Sequence, residues 1–309
     1  MMNISMRKLF ILSSSLIATN LYAGSCCGGG AGSAELMLGD TKSVVRTIYS
    51  DQSILADSSN DLKINNREDD EIESIRTLSL SSSYRLNELT QFGFNLPIIE
   101  KIKKVNDNWE SNAGIGDLQL NMGYEFMPEY NRNRFISQGF IFSQITLPTA
   151  PSLFTTKRTD SLDTRGTGHY SYGIGTIFTK RQKTGMTTVQ FLLSYRPGRK
   201  FNSTIFSSDS ITTEDSFDNE VSISQSYSAT ENFAMSAGLK RSYLSNKTTS
   251  VYIGERQSSQ KQTINLGLDY SQEDYTYLMS YSDDFLFNSS YNHVLGKSVS
   301  IGLIKRVSL

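Results

Sequence analysis

The sequence predicts an all-β protein, a transmembrane antiparallel up-and-down β-barrel of about twelve strands. Three observations predict it. Segments that alternate apolar and polar residues recur from Ser79 to Leu309, and an export signal precedes them. Outside that signal no run approaches the roughly 18 apolar residues of a membrane helix, so any crossing has to be made by strands. The clearest segment is QTINLGLDY, residues 262–270. Side chains alternate along a strand, so Ile264, Leu266, Leu268 and Tyr270 share one face and Thr263, Asn265, Gly267 and Asp269 the other.

The N-terminus supplies the address. Arg7 and Lys8 precede the apolar run LFILSSSLIATNL, which ends in Leu21-Tyr22-Ala23 before small residues. This is the layout of a secretory signal peptide, with cleavage expected after Ala23. The expected organisation is a signal at residues 1–23, a Gly-rich flexible periplasmic leader at 24–41, and an outer-membrane barrel at 42–309. A competing reading places a lipid on Cys26, but the bulky aliphatic residue usual three positions before such a cysteine is here Ala23.

Composition excludes several classes. Formal charge is −1, and −3 once Arg7 and Lys8 leave with the signal, so no nucleic-acid surface is expected. Cys26 and Cys27 are adjacent and cannot staple distant parts of the fold. Their CCGGGAGS tract could hold a metal or a vicinal disulfide, but a flexible leader is the plainer reading. Two histidines and two neighbouring cysteines lack the spacing of a zinc site, and no cofactor is expected.

Strand-like segments fall at 42–50, 76–86, 89–96, 114–126, 135–146 and 169–180, then at 187–195, 219–229, 233–243, 261–271, 275–283 and 298–309. Long polar connections take turns with short ones. The first long loop is expected at 51–70; Pro97, which has no N–H to donate, is expected to end the third strand and open a second loop at 97–112. The segment at 135–146 is apolar on both faces in places and hard to register. An alternative count of about fourteen adds strands at 250–254 and 285–293; both counts are even and put both termini at the short-turn end.

Alternation also suits a soluble sandwich. Three features favour a barrel. The polar faces carry Ser, Thr, Gly, Asn and Gln rather than Lys and Glu, many segments exceed nine residues, and strand ends concentrate Tyr and Phe. In the last strand Val299, Ile301, Leu303, Val307 and Leu309 share the apolar face with Lys305, which is expected to snorkel to the rim.

The run LTQFGFNLPII, a polar loop and then NAGIGDLQLNMGYEF resembles the MetA-pathway of phenol degradation family of outer-membrane transporters. GTGHYSYGIGTIF, SATENFAMSAGL and the terminal strand follow in similar order, so the resemblance covers most of the mature chain. It implies an outer-membrane barrel that passes small solutes, hydrophobic or aromatic ones among them. The leader CCGGGAGS and the final Leu309 depart from the family pattern.

Phase makes Asp117, Gln119, Asn121, His169, Gln190, Asn265 and Asp269 candidate lumen-facing residues. For Asp117, a carboxylate that orders a strand start competes with a solute-binding one. His169-Tyr170-Ser171 resembles the His-x-Ser of outer-membrane phospholipase and lipid A deacylase, but Tyr172-Gly173 follows where those enzymes show Asn-Gly, and no orienting acid is evident. No enzyme is expected. Asp69-Asp70-Glu71 and Glu214-Asp215 belong to long loops, where they are solvated or share cations with lipopolysaccharide, and Gly173–Gly175 lacks the context of a nucleotide site.

The expected function is a channel or transporter for small solutes among outer-membrane lipids and lipopolysaccharide. Its lumen is expected to be narrow or plugged by a loop or the leader, since the size lies between filled eight-stranded barrels and aqueous porins. A non-conducting structural or surface-interaction barrel is the alternative, for which the long polar loops speak.

Overall fold

Strands account for most of the chain from Thr41 onward in the computed structural model, which describes residues 36–37, 41–68, 71–105, 108–128, 138–202, 210–247, 257–287 and 289–308. In order they are β1 (Thr41–Ser58), β2 (Ile64–Asn66), β3 (Glu73–Arg85), β4 (Thr90–Val105), β5 (Asn108–Ile115), β6 (Leu118–Met127), β7 (Gln138–Leu147) and β8 (Ser171–Gln182). They continue with β9 (Gly185–Arg196), β10 (Lys200–Phe201), β11 (Ile211–Thr212), β12 (Ser216–Ser228), β13 (Phe233–Lys247), β14 (Gln257–Gln272), β15 (Tyr275–Asp283) and β16 (His293–Ser308). No helix occurs among the described residues.

Twelve of these strands form a closed antiparallel barrel. β1, β3, β4, β6, β7, β8, β9, β12, β13, β14, β15 and β16 each pair with the next, and β16 returns to β1. The closing seam runs from Thr41 opposite Ser308 to Ser58 opposite His293, so neither end strand is left as an open edge. β2 folds back onto the tip of β1, β5 pairs with the upper part of β4, and β10 with β11 makes a separate small ribbon.

The structure corrects three expectations about loops. Residues 51–58 extend β1 rather than opening a loop, because Asp51 to Ile54 pair with β3 on one side while the seam continues on the other. Pro97 sits inside β4, opposite Ser79. There β4 changes neighbour from β6 to β5, and Gly116 N donates to Pro97 O at 2.7 Å. A strand residue's nitrogen and carbonyl point to the same side, so the missing N–H falls at the break between β5 and β6, where no ladder bond is lost. The expected loop at 97–112 is therefore a hairpin that stands above the barrel wall. Among the described residues of the 285–293 segment there is no strand before β16 begins at His293, only one bridge, Tyr291 to Gln260, and segment 250–254 lies outside the described residues.

Phase follows the sequence alternation. Leu266, Leu268 and Tyr270 lie exposed on the outer face of β14, as do Tyr277 and Met279 on β15 and Val299, Ile301 and Leu303 on β16. Aromatic rings gather near the short-turn end of the outer wall, where Phe126 meets Phe178 edge-on at 6.1 Å and Tyr270 stacks on Tyr277 at 6.4 Å. Lys305 lies among them with its ammonium 5.6 Å from the centre of the Tyr275 ring, as snorkelling requires. Toward the long loops the outer face turns ionic. Arg76 bridges Asp51 at 3.2 Å and Glu100 at 3.5 Å across three neighbouring strands, which marks where the apolar band stops.

The band predicts unequal costs for one added charge. Leu266→Arg should lower unfolding stability in lipid vesicles by about 2 to 4 kcal/mol, while Asn265→Arg, one residue away on the cavity side, should cost well under half of that. Urea titration in vesicles measures both.

Candidate functional site

The lumen has two zones, and the strands build them differently. Toward the short-turn end the inner wall is apolar. On β7, Phe140 and Phe142 point inward and are almost wholly buried, joined by Ile177 of β8 and by Met186 and Leu192 of β9. This explains why the alternation of that segment is hard to read: β7 is apolar on both faces because one meets lipid and the other a packed floor. Gly175 opposes Phe142 across the β7–β8 pair, and a Cβ there would collide with the Phe142 ring.

The sixth member of that cluster is Leu36, which comes from the segment ahead of β1. Leu36 and Met37 lie inside the barrel, 3% and 1% exposed. The side-chain amide of Gln91 brackets the backbone of Met37, accepting from its N–H at 2.6 Å and donating to its carbonyl at 3.2 Å. Met37 packs on Val44 and Ile304, with Leu278 beside them. Gly123 makes room for the segment, since a Cβ there would run into Leu36. The end of the leader thus occupies the short-turn end of the lumen.

Above this floor lies a cavity of about 590 Å³. Its wall holds Ser79, Asn95, Gln119, Ser171, Ser194, Asn265 and Asp269, together with an arc of charges toward the long-loop end. Arg196 of β9 donates to Asp218 of β12 at 2.6 Å; Lys240 of β13 meets Glu220 of β12 at 2.7 Å; Lys261 of β14 meets Asp284, just past β15, at 2.8 Å. These side chains are mostly covered, Asp284 down to 3% exposure.

The expected lumen residues divide four ways, with His169 in a core of its own. Gln119, Asn265 and Asp269 line the cavity. Asn121 and Gln190 are buried beside the floor, each two positions from a residue facing the plug, and Asn121 Oδ1 and Gln190 Nε2 have no hydrogen-bond partner among the described residues. Gln144 Oε1, opposite Asn121, is in the same condition. Asp117 is engaged by a loop: its carboxylate accepts from Thr167 N at 2.7 Å, Thr167 Oγ1 at 3.1 Å and Ala150 N at 3.2 Å, clasping segment 148–170 to the break between β5 and β6.

His169 lies just before β8 in a small core built from two loops. Its ring meets Phe154 and Phe201 edge-on at 5.7 and 5.4 Å, while Phe154 and Phe201 stack at 4.4 Å. Arg199 ties the loops by donating to Gly168 O at 2.9 Å. Burial is the main reason that the His169 imidazolium is disfavoured; the nearby Arg196 and Arg199 act the same way, and a hydrogen bond to the Pro197 backbone opposes them. Its pKa is therefore below the ordinary histidine value.

Sequence reading expected a lumen narrowed or plugged by a loop or the leader but named no residue of the plug, and it missed the arc. The phase of β12 and β13 already puts Asp218, Glu220 and Lys240 on the inner face, opposite the outward Val221, Ile223 and Leu239. For Leu36 and Met37 the only signal is a pair of apolar residues at the end of a polar, glycine-rich leader.

A closed barrel with an apolar outer band, a polar cavity and a floor at one end defines a bilayer-spanning barrel. Comparison with solved structures agrees on the fold. The COG4313 outer membrane channel from Pseudomonas putida F1 matches with a TM-score of 0.68 at 12% identity, over 87% of this chain and 97% of that one. The NanC porin matches with a TM-score of 0.50 at 10% identity, over 86% of this chain and 100% of the other. The beta domain of the Bordetella autotransporter BrkA also reaches 0.50 at 10% identity, over 87% and 100%. No family model matches the chain, and no curated protein matches it. The resemblance to a family of outer-membrane transporters is thus supported at the level of the barrel fold.

The His169 core predicts a pH response. A depressed folded-state pKa means that this histidine contributes stability above its unfolded value and loses it as pH falls through the lower folded one. Protection of residues 148–170 from hydrogen exchange, taken relative to the intrinsic rate, should therefore fall as the pH drops below the ordinary histidine value, and His169→Gln should flatten that change.

Proposed function

We propose that the protein is an outer-membrane channel for small solutes, shut at the periplasmic end by its own N-terminal segment. The observation that carries this reading is the seat of Leu36 and Met37. A cavity walled by hydroxyls, amides and ion pairs ends at a floor to which the chain's own leader contributes. The export signal and the apolar outer band support an outer-membrane site, and lipids of that membrane would surround the band. Small polar solutes suit this wall. Hydrophobic or aromatic ones would reach the apolar floor only by displacing water from Ser, Thr, Asn and Gln.

The seat is built to be left. Burying a Leu or Met side chain contributes roughly 1.5 to 3 kcal/mol. Ordering each backbone residue costs about 1 to 2 kcal/mol. The buried amides of Asn121, Gln144 and Gln190 each carry one atom without a protein partner, at about 1 to 3 kcal/mol apiece. Water entering on departure of the segment would satisfy all three. The closed state is therefore held by a small margin.

Leu36→Asp puts a carboxylate against Phe140 and Phe142, and Gly123→Val pushes on Leu36 from the wall. Each should raise open probability in planar bilayers by about tenfold or more over the unchanged chain, equivalent to about 1.4 kcal/mol. Folded barrels that stay silent in all three forms would overturn the channel reading.

A further inference from the structure

The charged side chains of the cavity form balanced cross-strand pairs, and this bears on which solutes the lumen takes. Going round the wall from β9, the charges run Arg196, Asp218, Glu220, Lys240, Lys261 and Asp284, so each cation meets an anion on the next strand or just beyond it. The pairing is reinforced locally. Asp284 also accepts from Thr263 Oγ1 at 2.7 Å and from Gly296 N at 3.1 Å, so it is held on three sides.

The arc covers one side of the cavity, from β9 round to β15. On the other side the wall from β1 to β8 is uncharged: Ser50, Thr77, Ser79, Asn95, Gln119 and Thr146. The cavity wall thus holds three Lys and Arg side chains and four Asp and Glu side chains among the described residues, with Asp269 the one carboxylate outside the arc.

Resting on the channel reading, we infer that this lumen selects small polar solutes of zero net charge, and that the arc of paired charges is its selectivity element. An ion of either sign that sheds hydration water inside finds almost no net field to replace it. A solute that carries hydroxyls, amides or a balanced pair of charges finds donors and acceptors on every side. The arrangement differs from a ring of like charges, which concentrates one sign of ion. Here each charge of the arc is cancelled within 3 Å by a partner on the same wall.

The pairing provides its own test, because removing either member of one pair exposes the other. Full-length Gly123→Val protein, opened as above without adding a charge to the lumen, serves as the parent in planar bilayers under a potassium chloride gradient. The parent should pass potassium and chloride with a permeability ratio within about twofold of one. Lys240→Gln on this parent leaves Glu220 uncovered and should move the ratio toward potassium. Glu220→Gln removes the carboxylate 2.7 Å from Lys240 and should move it toward chloride. Each shift should be about twenty-five-fold, because one charge about 4 Å away in water changes the weight of a cation and of an anion by about fivefold each in opposite directions. Vesicle swelling with the parent should admit a neutral pentose or glycine betaine faster than sodium gluconate.

Strong selectivity for one ion in the parent, or shifts of the same sign in both variants, would overturn the inference while leaving the channel reading intact. Faster swelling in gluconate than in the neutral solutes would do the same. Silence from folded parent and variants alike would overturn both.

Discussion

Every backbone N–H and C=O at bilayer depth has to be satisfied by a neighbouring strand, and the β1–β16 seam is what makes that true all the way round. A sheet of the same strands left open would present two unpaired edges to hydrocarbon. Closure also sets the strand phase, since a strand that slipped by one residue would turn Leu266 inward and Asn265 to lipid. The long seam therefore governs more than the two strands it joins. It holds the termini at the same end as the short turns, and that end is where the chain ahead of β1 meets the lumen.

Closure at this strand number creates an interior that the wall alone does not fill. The protein resolves this in two ways. Toward the short turns, large side chains from β7, β8 and β9 reach inward and the leader residues Leu36 and Met37 complete the packing. Toward the long loops, small polar side chains leave a cavity, and the charges that reach into it are tied to one another. A lone charge in that position would be poorly solvated, whereas a pair with extra hydrogen bonds, such as Lys261 and Asp284, needs little from water. Beside the plug Asn121, Gln144 and Gln190 keep unpartnered atoms, as Asn95 and Asp218 do in the cavity wall.

The long loops also obey closure. The β4–β5 hairpin rises above β6 and β7, and segment 148–170 is drawn across to it: Arg158 pairs with Glu110, Lys101 donates to Thr164 at 3.0 Å, and Asp117 clasps Thr167. Such contacts join residues about fifty positions apart that have no common strand. Sequence reading finds the strands because each carries its own period, and the expected segment 275–283 matches β15 to the residue. It fails at Pro97 because the penalty for a missing N–H depends on what lies beside the strand, and here a break in the neighbouring strand removes the penalty. It places His169 by phase on a strand face, but the residue lies two positions ahead of β8, where Phe154 and Phe201 from other segments surround it.

Alternation along the chain, together with the small polar inner face, the strand lengths and the aromatic strand ends, determined that this protein is an all-β barrel, which way Leu266 and Asn265 point, and which end carries the long connections. Those are local matters, set by a period of two residues and by turn chemistry. What fills the lumen was decided only by tertiary structure. Phase says that Phe142, Gln144, Glu220 and Lys240 face inward, but not what each one meets there. The partners come from other strands and from the returning leader. Their distance depends on how many strands close the ring, and that is a property of the whole sheet.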